Sequence, residues 1–323
     1  MLKSFGVARV IFGRLAMTVG IQSATAPSRP RRRRRGFLGL DVFVVLFLFG
    51  LIILFFAALL PGILRARELA KRTVCAANLN GLGKGFYDYG TENADDWPIA
   101  AHLVAGEEWG VGKVQYAPRM IGTKRGKEGN WLAGESTVED TKLSTTRNLW
   151  MLVRAGAATP ASFICPSTRD QRNDQDNPQD FWDFRGYTEV SYGYQVPYGR
   201  RGKPTSERDP NMVLSADKGP YGAALEAGEK DPGVPTPKAT DAPQAWRDWN
   251  SPNHRRQGQN ALYADSHVEL AARPTTGVKD DNIYTRWADK TGGRGKDDSP
   301  RVAGTPPTSN EAPGADTDSL IYP

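Results

Sequence analysis

Acidic residues are missing from residues 1–36, and charge of either sign is missing from Val42 to Leu64. Cysteine and histidine are scarce, with two and three among 323 residues. Two cysteines exclude a four-thiolate zinc site and a disulfide-dense scaffold. No Ser-His-Asp set, paired-carboxylate motif or nucleophile elbow is visible. The net charge of +6 does not point to nucleic acid. Lys3, Arg9, Arg14, Arg29 and Arg31–Arg35 place nine positive charges in residues 1–36, which leaves −3 for the rest. A nucleic-acid interface needs a basic patch on a folded domain, so none is expected.

What is present is a greasy run behind a basic block. Val42 to Leu64 is 23 uncharged residues, and about 20 suffice to cross a bilayer as a helix. Positive flanks stay cytoplasmic, so the arginine block predicts a single-pass protein of the inner (cytoplasmic) membrane with the chain after Leu64 outside the cytoplasm. Arginine blocks also bind anionic headgroups without a specific site. Residues 1–36 are too long and too charged for an ordinary secretory signal. Asp41, at the start of the run, has two readings. It is solvated at the headgroups, or it pairs with an α-amine freed by a cut between Gly36 and Phe37.

The basic leader, Gly36, Phe37, an acid five places after the glycine and the long apolar run resemble type IV prepilin-like proteins and the pseudopilins of type II secretion. The resemblance implies cleavage after Gly36 by a prepilin peptidase, methylation of the new amine at Phe37, and Asp41 as an assembly residue. It implies packing with copies of itself or other pseudopilins through the N-terminal helix. Asp41 stands where that family usually has Glu, and Pro61 falls slightly later than the family's helix proline.

Beyond the run, Arg65 to Tyr89 lacks proline, and Cys75, Leu79, Leu82, Phe86 and Tyr89 recur at helical spacing. The helix is expected to leave the bilayer and lay this stripe on a globular domain. Gly81, Gly83 and Gly85 (GLGKG) interrupt a helix rather than follow a strand, so they read as close-packing positions, not a phosphate loop.

The fold class is α+β: the long helix packed on a small antiparallel sheet, which the resemblance makes pilin-like. Residues 147–155 read as a short helix, and residues 162–165 and 212–216 as short strands. Val190, Tyr192, Tyr194 and Val196 alternate as in a half-buried strand. Residues 260–270 read as a hairpin turning at Asp265-Ser266, with Ala261 and Tyr263 sharing a core face with Val268 and Leu270. Segments 96–140 and 219–250 read as long loops. The division is residues 1–36 leader, 37–64 transmembrane helix, 65–290 extracytoplasmic domain and 291–323 a tail too polar and Pro/Gly-rich to order.

Cys75 and Cys165 both follow the span, in a compartment where disulfides persist. They are expected to bridge; the alternative is two buried free thiols. His254, Asp265 and His267 lie close in sequence, but strand pairing gives no reason for them to converge. The plain reading is that His254 bonds the turn and Asp265 caps it. Asp217 ends its strand in a similar way and is a weak calcium candidate. No catalytic residue, metal or cofactor is expected.

Residues 65–89, 148–167, 190–199 and 251–270, with DNIYTRW after them, resemble a planctomycete-type pseudopilin-like family with a DUF1559-like domain and a C-terminal His-x9-Asp-Gly signature. Here ten residues separate His254 from Asp265, and Ser266 replaces the glycine. The resemblance implies an export or filament context and no reaction. The expected role is a pseudopilin-like structural subunit whose partners are the bilayer, a prepilin peptidase and other pseudopilins. One alternative is a membrane-anchored binding module using Trp97, Trp109, Trp131, Trp246 and Trp249. The other is a metal-dependent enzyme.

Overall fold

Apolar residues without a breaker other than Pro61 carry the backbone through one helix, α1, over Gly39–Glu92 in the computed structural model. The structure describes residues 39–99, 115–117, 142–173, 177, 181, 183–184, 186–197, 205–221, 237–238, 240–286 and 313–323. Gly36, Phe37, Trp109, Trp131 and the arginine block lie outside them. The chain divides into two compact units, Met1–Ala58 and Leu59–Pro323.

In the first unit the described residues are helix alone, with Phe43, Leu46 and Leu54 among many exposed apolar side chains. Among the described residues one helix is long and apolar enough to cross a membrane, and none of its most apolar stretch is buried. That is compatible with a single-pass anchor. Asp41 sits in the first turn.

The second unit is α+β. The remainder of α1 buries the expected stripe: Cys75, Leu79, Leu82 and Phe86 are inaccessible, and Tyr89 packs partly buried beside them. A second helix, α2, spans Thr146–Arg154. Two short strands, β1 (Gln115–Ala117) and β2 (Lys142–Ser144), pair in parallel. The main sheet contains β3 (Tyr192–Gln195), β4 (Val213–Asp217), β5 (Gln259–Tyr263), β6 (Val268–Ala271) and β9 (Ile321–Tyr322), in the order β6-β5-β4-β3-β9, all antiparallel. A small antiparallel pair, β7 (Thr275–Gly277) and β8 (Asp281–Asn282), lies between β6 and β9 in sequence.

Two apolar clusters flank this sheet. One joins the α1 stripe to Leu152, Phe163, Tyr192, Tyr194 and Leu262. The other gathers Val213, Ala216, Trp246, Ala261, Tyr263 and Ile321. Both faces of β3, β4 and β5 are therefore buried, which corrects the half-buried reading of residues 190–196. Gly83 and Gly85 are close-packing positions: a Cβ would meet Leu262 Cδ1 at 2.9 Å and the Ala157 carbonyl at 3.0 Å. Gly81 has no such neighbour.

Four further expectations are corrected. Residues Pro160–Phe163 form a 3-10 turn rather than a strand, because Pro160 opens it with a fixed φ. The β5–β6 hairpin pairs Leu262 with Val268 and Asn260 with Leu270. The Tyr263 amide also donates to the His267 carbonyl at 3.0 Å. The loop is thus three residues long, Ala264 to Ser266, with Ser266 at φ +73° and the Tyr263 carbonyl accepting from the Ser266 amide at 2.9 Å. A one-residue shift moves every side chain to the other face, so Val268 joins Leu262 in the α1 cluster and Leu270 is exposed. The tail is ordered at its end: Leu320, Ile321 and Tyr322 are buried and β9 pairs with β3. Apolar residues there outweigh the polar composition of the segment as a whole. Finally, Trp97, Trp246 and Trp249 are buried, so these three act as core residues rather than a contact surface.

Gly258 enters β5 at φ +139°, where a Cβ would lie 2.5 Å from the Ala271 carbonyl oxygen. Gly258→Ala combines a strained φ with a backbone clash, and is expected to cost about 2 kcal/mol or more. Chemical denaturation of the full chain measures it, and a variant as stable as the parent would refute the close approach.

Candidate metal centre

The candidate site sits under α1 and is assembled from four separated segments. Cys75 comes from the helix stripe and Cys165 from the extended chain after the Pro160–Phe163 turn. Asp217 ends β4, and its direction depends on a bulge. The β4–β5 register shifts between Val213 and Ser215. Val213 and Ala216 consequently face the second cluster while Leu214 faces α1. Without that extra residue Asp217 would share Val213's face; with it, the carboxylate points at Cys75. His254 arrives from a tight turn in which His254, Arg255 and Arg256 all take left-handed φ of 50–59°. Such a conformation costs about 1–2 kcal/mol per residue for side chains with a Cβ.

All four side chains are completely buried. The Cys75 thiol donates to Asp217 Oδ1 at 3.1 Å, and the Tyr192 hydroxyl donates to Cys75 Sγ at 3.3 Å. His254 Nε2 lies 3.5 Å from Cys165 Sγ and 3.4 Å from Asp217 Oδ2. One ligand atom from each of Cys75, Cys165, Asp217 and His254 falls within 4.8 Å of every other. Around them, the Asn260 amide and Asn253 Nδ2 donate to the two Asp217 oxygens at 2.7 and 2.9 Å. On the other side of the imidazole, His254 Nδ1 is 3.1 Å from Glu68 Oε1, which also accepts from Ser167 Oγ at 2.7 Å.

The electrostatics follow from this crowding. The Cys165 thiol is lowered to about 6, first by its hydrogen bond with Cys75 and then by His254, against the effect of burial. Burial, then the bond with Cys165 and the Asp217 charge, pushes the Cys75 thiol up. Burial disfavours a charged His254, but the hydrogen bonds to Asp217 and Cys165 outweigh it and raise the imidazole to about 10. Glu68 is lowered: burial acts upward, while Ser167, His254 and Arg72 together act downward more strongly.

Cys75 and Cys165 are free thiols, so the expected bridge is corrected. Each sulfur has its own polar partner, Asp217 for one and His254 for the other. The signature residues also part company. His254 is in the buried cluster, while Asp265 and His267 form an exposed pair at the hairpin loop, His267 Nδ1 lying 2.5 Å from Asp265 Oδ1. Asp265 additionally accepts from the His267 amide, which is the capping role expected of it. The carboxylate of Asp217 stands among soft donors rather than the oxygens calcium prefers. Beside the loop, an open groove of about 510 Å³ is lined by Tyr263, His267, Thr276 and Lys279 among others; it shares no residue with the cluster.

Glu68, Asn253 and Asn260 carried no flag in the sequence. One signal was available for Glu68. It lies seven residues before Cys75, and so extends the buried stripe by two turns with a carboxylate.

No protein-family model, curated protein or solved structure matches this chain.

Proposed function

We propose that this protein is a single-pass, pseudopilin-like structural subunit of a type II secretion or type IV pilus-like envelope assembly. In this reading a prepilin peptidase cuts after Gly36, Phe37 becomes the N-terminus, and the domain after Leu64 lies outside the cytoplasm. The observation that carries it is the continuity of α1. A single helix of 54 residues supplies an exposed apolar length sufficient for a bilayer and then a stripe that serves as domain core. Asp41 in the first turn of that helix stands where an acid neutralises a neighbouring subunit's amine. The basic block supplies orientation. The likeness to the DUF1559-like pseudopilin family supports the same role, and catalysis has no part in it.

The test is the mature N-terminus. Coexpression of the full chain with a prepilin peptidase is expected to remove residues 1–36, leaving Phe37 first. Gly36→Leu is expected to abolish that loss, and an intact leader on the wild-type protein would refute the reading. Asp41→Asn is expected to leave cleavage intact but to reduce self-association, measured by crosslinking in membranes.

A further inference from the structure

The cluster under α1 combines two sulfurs, one imidazole nitrogen and one carboxylate oxygen with no solvent access. We propose that Cys75, Cys165, Asp217 and His254 together bind one divalent transition metal, zinc by donor type, as a structural clasp. The inference concerns the domain's interior and holds whether or not the leader is processed.

Four observations carry it. First, the donor set is that of a borderline-soft cation: thiolate and imidazole suit zinc, while magnesium and calcium take all-oxygen shells. Second, the spacing fits. Zinc bonds of about 2.0–2.3 Å make a tetrahedron with edges of about 3.3–3.8 Å. One ligand atom from each residue lies within 4.8 Å of every other. His254 Nε2 is 3.5 Å from Cys165 Sγ and 3.4 Å from Asp217 Oδ2, and Cys75 Sγ is 3.1 Å from the other carboxylate oxygen, Oδ1. Contraction by less than about 1.5 Å therefore closes a tetrahedron on the ion. Third, Glu68 stands at His254 Nδ1 at 3.1 Å. A carboxylate holding the far ring nitrogen of a ligating histidine is the usual outer partner of such sites, because it keeps the proton on Nδ1 and the Nε2 lone pair inward. Fourth, the remaining ligand atoms are supported by donors: Asn253 and Asn260 hold Asp217, and Tyr192 donates to the Cys75 sulfur. Donors of this kind suit a carboxylate and a thiolate whose charge the metal does not fully cancel.

Four protein ligands leave no open position, so the site is structural rather than catalytic. On binding, both sulfurs coordinate as thiolates and His254 through a proton-free Nε2; whatever protons those three atoms carry leave to solvent, and no electron moves. The metal would tie α1, the segment after the Pro160–Phe163 turn, the end of β4 and the left-handed turn at His254 to one point. The three consecutive left-handed residues at that turn then have a purpose, since they deliver the imidazole.

The test uses the full chain, solubilised in detergent from cells supplied with Zn²⁺. Elemental analysis is expected to find one zinc per chain. Exchange with Co²⁺ is expected to produce thiolate-to-cobalt charge transfer and the intense visible bands of a tetrahedral ion. Cys165→Ser and His254→Gln are each expected to lose the metal, while His267→Ala, on the exposed hairpin, retains it. Glu68→Gln, which removes only the positioning carboxylate, is expected to weaken Zn²⁺ binding about 10–100-fold. Should a ligand variant fail to fold, the wild-type cobalt spectrum decides by itself. A wild-type chain without metal overturns the proposal, whether its cysteines alkylate freely on unfolding or its mass shows a Cys75–Cys165 disulfide. Metal retained in both ligand variants overturns the assignment equally.

Discussion

Deletion of residues 313–323 is expected to unfold the second unit, although the segment looks dispensable by composition. It carries β9 and three apolar side chains, Leu320, Ile321 and Tyr322, all at 2% exposure or less. Each is worth about 1.5–3 kcal/mol of burial, so together they approach the whole stability of an ordinary domain, about 5–15 kcal/mol. Polar losses add to this. Gln195 is buried, and its side chain donates to the Asp318 carbonyl and accepts from the Leu320 amide. The backbone amides of Val196, Val213 and Gly219 donate to Leu320 O, Ser319 Oγ and Pro323 O. Each buried group left without a partner costs about 1–3 kcal/mol. The deletion is therefore expected to lose its cooperative thermal transition and become sensitive to protease within β3 and β4. A truncated chain melting within a few degrees of the parent would show that β9 does not hold the edge of this sheet.

Phe86→Ala is expected to be the most damaging single truncation on α1. The ring is inaccessible, stacks on Tyr194 with centroids 5.2 Å apart, and leans on Trp97 at 6.5 Å. It joins the helix directly to an interior strand of the sheet, since Tyr194 belongs to β3. Removing it forfeits transfer energy and leaves a void, for a loss of about 3–5 kcal/mol. In a domain of this size that is about 6–20 °C in melting temperature. Phe86→Leu keeps most of the volume and is expected to lose about 1.5 kcal/mol or less. Circular dichroism and tryptophan emission should report the same transition, because Trp97 sits against the same ring. A cost for the alanine variant under about 0.5 kcal/mol, the level of a surface site, would mean that the helix does not pack through Phe86.

These two sites differ in how openly the chain announces them. Phe86 belongs to a run whose spacing repeats every three or four residues, and each member predicts the next. The tail's contribution depends on a short apolar patch at its end, which averaged composition hides. The hairpin shows the same limit. Residues 260–270 read correctly as two strands, yet Ser266 takes a left-handed φ and lengthens the loop to three residues. Nothing in the local pattern distinguished that loop from a two-residue turn, and one residue of register decided which face Val268 joins.

Local order was written into the residues themselves: the apolar run, the helical stripe from Cys75 to Tyr89, the short helix α2 and the strands at residues 192–195 and 213–217. Period and breakers set such features within a few residues of each position, and neighbours along the chain suffice to read them. The cluster of Cys75, Cys165, Asp217 and His254 is another matter. Its contacts span 142 residues between Cys75 and Asp217, 89 between Cys165 and His254, and 186 between His254 and Glu68. A bulge in β4 and a left-handed turn aim two of the four donors. Only the packed sheet and helix bring those donors to one point, because convergence depends on strand register and backbone direction rather than on residue type.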